Sequence, residues 1–141
     1  MTKPLSIGAL SDDTGVKVPT IRYYEEIGLL PTPDRAGNNR RTYGQDTLRR
    51  LRFIRHAREL GFEVEAIRQL LSFGQEPHQP CDEADRIARA HLADIESKIA
   101  RLTALGAEVK RMLRQCAHGE IKDCRVIEVL GDHRLCLAKK H

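Results

Sequence analysis

The stretch IGALSDDTGVKVPTIRYYEEIGLL, residues 7–30, decides the fold, because it predicts two short helices joined by a tight turn. The first helix is expected over residues 5–14, with Ser6 as its N-cap, and GVKV forms the turn. The second helix is expected within residues 19–30, where Pro19 is tolerated in the first turn and Gly28 ends the helix as a C-cap. This pair has the outline of a helix-turn-helix.

The segments that follow this pair predict a wing and two further helices. Residues 31–44, PTPDRAGNNRRTYG, are rich in turn-forming glycine and asparagine, and we expect a loop or β-hairpin that forms the wing. The segment 45–60 places leucine and isoleucine on one side and predicts a third helix, which Gly61 breaks. EVEAIRQLLSF, residues 63–73, predicts a fourth helix, and GQEPHQP, residues 74–80, predicts a linker.

Residues 82–115 predict the longest element, a helix without proline and with one glycine. Along it, apolar or small residues recur at the alternating spacing of a heptad repeat: Ala88, Leu92, Ile95, Ile99, Leu102, Gly106, Val109 and Leu113. A single helix with one apolar stripe cannot bury that stripe alone, so we expect a partner helix. The alternative is a helix that lies back on its own domain.

Composition and charge narrow the class of protein. The chain has 141 residues, of which 40% are hydrophobic and 31% are charged, as in a helical soluble protein. It contains no run of about 18 apolar residues and no signal peptide at its N-terminus, so we expect a cytoplasmic protein. Eight arginines between residues 35 and 58 form a basic patch of the kind that meets phosphates. The alternative is a solvated basic helix face.

Three of the four cysteines frame the long helix. Cys81 precedes it, while Cys116 and Cys124 enclose the polar loop CAHGEIKDC after it. The helix would separate Cys81 from Cys116 by roughly 50 Å, which excludes a shared site within one chain. In an antiparallel coiled-coil dimer, Cys81 would lie near both loop cysteines of the partner subunit. The spacing leaves open a thiolate metal site or an incidental set of cysteines.

The whole chain resembles the mercury-resistance regulator (MerR) family of bacterial transcription activators, most specifically in TIRYYEEIGLL and RRTY. The resemblance implies an all-α fold with a small β wing, built as a winged helix-turn-helix, an antiparallel coiled-coil dimerisation helix and a short metal-binding loop. The corresponding ranges are 1–75 for the DNA-binding domain, 76–81 for a linker, 82–116 for the dimerisation helix, and 117–141 for the loop and C-terminal segment.

The resemblance also implies partners and contact residues. Such regulators are homodimers that bind double-stranded promoter DNA and act on RNA polymerase indirectly, by kinking and untwisting the promoter. The matching positions assign recognition-helix and wing contacts to DNA as follows: Thr20, Arg22, Tyr23, Arg40, Arg41 and Tyr43. Tyr24 and Leu29 are expected in the core.

The metal ligands follow from the metal-sensing branch of the same family, which has one cysteine before the dimerisation helix and two around the loop. This pattern assigns Cys81, Cys116 and Cys124, with His118 as a less certain fourth ligand. Three thiolates favour a divalent soft ion such as zinc, cadmium, lead or mercury. A copper(I) or silver(I) regulator that uses only the loop cysteines is the alternative, and a redox-sensing regulator is a more remote one. Cys136, His133 and His141 stay unassigned.

Other classes of protein fit the sequence less well. An enzyme with a loop cysteine as nucleophile and His118 as base lacks a sheet that could build a pocket. A coiled-coil scaffold would leave the arginine patch and the wing without a role. Iron–sulfur sensors of the family need four clustered cysteines, and multidrug sensors need a large ligand domain that this chain has no length for.

Overall fold

The computed structural model describes residues 4–35, 37, 40–115 and 119–136. The fold is mostly helical with one two-stranded sheet, which confirms the predicted fold class. The chain divides into two compact units, Met1–Asp85 and Arg86–His141. The elements are α1 Ile7–Thr14, α2 Val18–Glu26, β1 Asp34–Arg35, β2 Arg41–Thr42, α3 Gln45–Glu59, α4 Val64–Phe73, α5 Asp82–Arg114 and α6 Arg125–Gly131. Short 3-10 helices at Ile121–Asp123 and His133–Leu135 flank α6.

Helix α1 and the turn after it follow the sequence prediction closely. The Ser6 side chain caps the helix by accepting a 3.1 Å hydrogen bond from the Ala9 amide. Gly15 ends it with a φ of 75°, a left-handed conformation that glycine adopts without steric cost. The buried Thr14 hydroxyl donates to the Leu10 carbonyl at 2.8 Å and accepts from the Val16 amide at 3.2 Å. The turn is therefore closed by its own hydrogen bonds.

Helix α2 ends close to Gly28, where the sequence predicts its C-terminal end. It begins at Val18, with Pro19 in its first turn, and its last residue is Glu26. Gly28 has a φ of 76° and turns the chain back, so that the amides of Leu29 and Leu30 both donate to the Tyr24 carbonyl. Both leucines are consequently buried in the core.

The core of the first unit is a single cluster to which α1, α2, α3 and α4 all contribute. Its fully buried side chains include Leu10, Ile21, Leu51, Ile54 and Ile67. Burying an aliphatic side chain of this size stabilises a fold by about 1.5–3 kcal/mol. This core fixes α2 on the outside of the unit with only one of its faces exposed.

The wing is a minimal antiparallel hairpin. Asp34 pairs with Thr42 and Arg35 pairs with Arg41, and the Thr42 hydroxyl donates to the Asp34 carbonyl at 3.2 Å. An isolated bridge joins Leu5 to Tyr43, with backbone hydrogen bonds of 2.7 and 2.8 Å. The base of the wing is thus tied to the segment that leads into α1.

The second unit is dominated by α5, whose predicted heptad stripe is exposed in the single chain. The side chains of the stripe are 52–66% exposed at five positions: Leu92, Ile99, Leu102, Val109 and Leu113. A different face of α5 is covered, since Glu108 and Met112 are buried. No helix among the described parts of the chain is long and apolar enough to cross a membrane.

Candidate nucleic-acid interface and candidate metal ligands

Helix α2 presents a polar face to solvent. Ile21 and Tyr24 point into the core, which leaves Arg22 and Tyr23 exposed and Thr20 half-buried. The Tyr23 and Tyr24 rings pack at a tilt of 47° with their centroids 6.1 Å apart. The outward face therefore carries a guanidinium, a phenol and a hydroxyl, which are groups that read base edges and phosphates in DNA.

Two arginines hold the C-terminal end of α2. The Arg50 Nε donates to the Leu29 carbonyl at 2.8 Å, and the Arg68 Nη2 donates to the Ile27 carbonyl at 2.8 Å. Burial, and then the nearby charge of Arg68, lower the pKa of Arg50. Because these donors come from α3 and α4, the orientation of α2 is fixed from two sides.

The N-terminal end of α2 is fixed through the turn that precedes it. The Arg55 guanidinium donates to the Thr14 carbonyl and also pairs with Glu59 at 2.9 Å. Arg55 packs so closely over Gly15 that a Cβ at that position would clash with its guanidinium. Glycine is thus favoured here by its backbone angle, whereas a shift of the flexible Arg55 side chain could relieve the close contact.

The base of the wing is joined to α2 through Glu25. The Tyr43 hydroxyl donates to the Glu25 Oε1 at 2.5 Å, and the Arg41 Nη1 donates to the Oε2 at 3.1 Å. Burial, followed by the hydrogen bond to Glu25 and its charge, raises the pKa of Tyr43 to about 12. The Tyr43 ring is only 1% exposed, so it anchors the wing and does not offer the direct DNA contact that the sequence assigned to it.

The basic patch is only partly a surface for ligands. Arg50 and Arg55 are engaged with backbone carbonyls, Arg52 pairs with Asp13 at 2.5 Å, and Arg49 pairs with Asp46. Counting charges along the sequence therefore overstated the cationic surface. Of the predicted contact residues in this region, Arg40 is exposed and Arg41 is half-buried.

The predicted cysteine ligands lie in different parts of the chain, and the structure describes two of them, Cys81 and Cys124. Cys81 is exposed, directly precedes α5 and accepts a 2.9 Å backbone hydrogen bond from Asp85. Cys124 is half-buried between a 3-10 helix and α6, while Cys116 and His118 lie outside the described residues. Neither Cys81 nor Cys124 forms a disulfide, and a cysteine thiolate is a suitable donor to a soft cation. Within the described ranges, the structure forms no group of three or more metal-ligating side chains.

The segment around Cys124 is fastened to the end of α5. The Arg125 Nε donates to the Gln115 Oε1 at 2.7 Å, and the Arg111 guanidinium donates to the Leu135 carbonyl. Arg111 also pairs with the buried Glu108 at 3.2 Å, and Val129 of α6 is buried. The C-terminal segment is therefore packed on α5 in the single chain.

Sequence reasoning missed the residues that hold the interface together. Each of these residues bonds to a group that is distant in sequence: 16 residues away for Glu25, 21 for Arg50 and 41 for Arg68. No local sequence pattern indicates such a pair. The only signal was the excess of arginine, which the sequence analysis assigned to phosphates.

Comparison with protein families identifies both halves of the chain. Residues 5–73 match the model described as MerR HTH family regulatory protein, and residues 48–114 match the model described as MerR, DNA binding. The two matches together extend from the start of the first unit to the end of α5.

Individual relatives cover nearly the whole chain. A heavy metal-dependent transcription regulator of Rhizobium meliloti is 35% identical over 91% of this chain and 87% of its own. The HTH-type transcriptional regulator HmrR of Sinorhizobium medicae is 38% identical over 90% of this chain and 86% of its own. The crystal structure of the regulator PbrR691 from Ralstonia metallidurans with lead(II) superposes with a TM-score of 0.78 at 35% identity, over 89% of this chain and 98% of that one.

Proposed function

The chain belongs to the MerR family of transcription regulators, and we propose that it is a homodimeric activator of a metal-resistance or efflux promoter. It is therefore not an enzyme, since its relatives are DNA-binding regulators. Its effector in this proposal is a soft divalent cation bound by cysteines of both subunits. A bacterial transcription regulator acts on chromosomal DNA, so we propose that the protein is cytoplasmic.

The observation that carries the DNA-binding part is the outward face of α2, which is held rigidly at both ends. Arg22 and Tyr23 stand on that face, and we assign them, with Thr20, to the major groove. Arg40 and Arg41 of the wing are assigned to phosphates, since a guanidinium matches phosphate oxygens with paired N–H groups. Tyr43 supports the wing from inside and is left out of the contact set.

The exposed stripe of α5 supports the dimer. Its five large aliphatic side chains are more than half exposed, an arrangement that a helix in water keeps only if another surface covers it. A second copy of the same helix, running antiparallel, presents the same stripe in the matching order.

The metal site is proposed from the chemistry of the donors. Cys81 of one subunit and Cys116 and Cys124 of the partner subunit would supply three thiolates, and His118, two residues after Cys116 in the sequence, would be a fourth ligand. The relatives named above include a heavy metal-dependent regulator and a protein crystallised with lead(II), which supports a soft cation here as well. A bound cation would link the two subunits through sulfur, and three negative ligands favour a charge of +2.

The response in transcription follows from that link. Thiolates on both subunits would set the angle between the two DNA-binding units, and the protein contacts would supply the energy that untwists the promoter. RNA polymerase then takes part through the reshaped promoter that it shares with the regulator.

A Cys81→Ser variant tests the metal site in a metal-responsive transcription assay, with Cys136→Ser as the matched control. We expect Cys81→Ser to lose the response to zinc, cadmium, lead and mercury, while Cys136→Ser keeps it. A full divalent response without Cys81, or a wild type that answers only to copper(I) or silver(I), would assign sensing to the loop cysteines alone.

Mixed dimers test whether the site crosses the subunit boundary. One chain lacks Cys81, and the other lacks both Cys116 and Cys124. The cross-subunit arrangement leaves one complete site per dimer, so we expect half of the wild-type metal stoichiometry. A dimer that binds no metal would show that each chain holds its own ion.

Arg22→Ala and Arg41→Ala test the DNA contacts, with Arg134→Ala as a control because Arg134 is exposed and lies in the second unit. We expect Arg41→Ala to weaken binding to all duplexes and to lower the salt-dependence slope by about one. Arg22→Ala should in addition reduce sequence preference. Equal losses on specific and random DNA in both variants would leave only the phosphate role.

A further inference from the structure

Glu25 bonds to two different side chains of the wing, Tyr43 and Arg41, and neither partner comes from its own helix. Its carboxylate lies in the last turn of α2 with the side chain only 10% exposed. One oxygen accepts from Tyr43 and the other from Arg41, which lie at the end of the wing and in β2. A carboxylate bound in this way fixes the distance between the recognition helix and the wing.

The Tyr43 hydroxyl can donate to Glu25 throughout the physiological pH range. A phenol with the ordinary pKa of about 10 is already protonated near neutrality, and the pKa of Tyr43 is raised further, to about 12. Its backbone is held at the same time by two hydrogen bonds to Leu5. The Glu25 Oε1 therefore has a donor whose position does not depend on the rest of the wing.

The Arg41 side of the link is the one that reaches solvent. The Arg41 side chain is 36% exposed, while one of its terminal nitrogens is bound to Glu25. A guanidinium has five N–H groups in a rigid plane, so orienting one edge also orients the others. Glu25 thereby sets the direction in which Arg41 can meet a phosphate.

We propose that Glu25 is a positioning residue that sets sequence preference indirectly, by holding Arg41 and the wing at a fixed place relative to α2. This inference rests on the DNA-binding role proposed above. A wing phosphate contact at a fixed distance from α2 admits only one register of the helix in the major groove. A loose wing would permit several registers and would lower the penalty for a wrong sequence.

The charge of Glu25 makes this role separable from a general effect on affinity. A buried negative charge close to DNA weakens binding to every duplex, so removing it should not lower affinity for random DNA. Loss of positioning should lower affinity for the preferred sequence alone. The ratio of the two affinities consequently reports positioning, and a purely structural role would not change that ratio.

The experiment uses the full-length protein and two duplexes. One is selected by the wild-type protein from a random-sequence library, and the other has the same bases in shuffled order. Glu25→Gln keeps the size of the side chain and an acceptor for Tyr43 but removes the ion pair with Arg41. We expect the affinity ratio to fall by about tenfold, with binding to the shuffled duplex unchanged or tighter.

A double-mutant cycle with Arg41→Met identifies the route of the effect. If Glu25 acts through Arg41, adding Glu25→Gln to Arg41→Met causes no further fall in the ratio. The proposal is overturned if Glu25→Gln alone leaves the ratio of the two affinities unchanged. It is also overturned if Glu25→Gln lowers that ratio equally in the wild-type protein and in Arg41→Met. Should Glu25→Gln not give the wild-type circular dichroism spectrum, Glu25→Asp replaces it, because its shorter side chain draws the carboxylate back from Arg41; an unchanged ratio in this variant would again overturn the proposal. A wild type without preference for its selected duplex would instead reject the DNA-reading role itself.

Discussion

The two units of this chain differ in how far their apolar side chains are buried. In the first, leucine and isoleucine from four helices meet in one core, and five of them are completely buried: Leu10, Ile21, Leu51, Ile54 and Ile67. In the second, the longest helix leaves Ile99 and Leu102 more exposed than buried. The first unit buries its apolar side chains within one chain, whereas the stripe on α5 would be covered in the proposed dimer. The contrast assigns the candidate DNA-binding face to the first unit and the proposed subunit pairing to α5.

The largest effect is expected where the exposed stripe is given a charge. Ile99→Asp would place a carboxylate at the centre of the proposed coiled coil in both copies, at a cost of several kcal/mol. We expect monomers in sedimentation, with the circular dichroism of the helices in the first unit retained. Ser97→Asp adds the same charge off the stripe and should leave the dimer intact. If Ile99→Asp still sediments as a dimer, the stripe on α5 is not the dimer interface, and the contrast between the two units is wrong.

The corresponding test in the first unit removes part of its buried core. Leu51 is fully buried, and Leu51→Ala would leave a cavity and destabilise that unit by about 2–5 kcal/mol. We expect a lower melting temperature for the first unit and weaker DNA binding, while sedimentation below that temperature still shows dimers. Loss of the dimer in the folded variant would mean that the two units are not energetically separate.

An alkaline transition should belong to the first unit alone, because Tyr43 lies there. Its pKa is about 12 in the folded chain and about 10 when unfolded, so the folded state holds the proton more tightly. Stability from this group is complete below pH 10 and is lost as the pH rises towards 12, by up to about 2–3 kcal/mol. Urea unfolding of wild type and Tyr43→Phe between pH 9 and 11.5 measures it. The two slopes should differ, and parallel slopes would reject the shift.

The smallest effect is expected at an exposed leucine of the first unit. Leu60 follows α3 and is 56% exposed, an exposure similar to that of the α5 stripe. Because it lacks the heptad spacing, we expect Leu60→Ala to change stability by less than about 1 kcal/mol and to leave the dimer unchanged. Urea unfolding and sedimentation of this variant show whether exposure alone, without the repeat, indicates a partner surface.

Local pattern was enough to predict most of the fold. The Ser6 cap, the turn at Gly15 and the heptad stripe each depend on residues that are close in sequence, and the structure places the first two as expected. Gly28 was also placed correctly at the end of α2, where its left-handed backbone turns Leu29 and Leu30 into the core.

The candidate interface was predicted less completely than the fold. The sequence identified the outward residues of α2, but it treated Arg50, Arg55 and Tyr43 as if they faced solvent. Their partners are the Leu29 carbonyl, the Thr14 carbonyl and Glu25, which only the folded chain brings near. The DNA contacts and the cysteine ligands themselves stay predictions for the experiments above.

The exposed stripe of α5 also bears on the order in which a newly made chain folds and assembles. The core residues of the first unit described above all precede α5 in the chain, so this unit can fold while α5 is still leaving the ribosome. In the proposed dimer, pairing of α5 requires a second finished chain, and its rate would therefore rise with the concentration of new protein. At low expression, newly made chains would spend a period with a folded DNA-binding unit and an uncovered helix. During that interval the apolar stripe is open to chaperones and proteases, so scarce copies of the regulator are the ones most exposed to degradation.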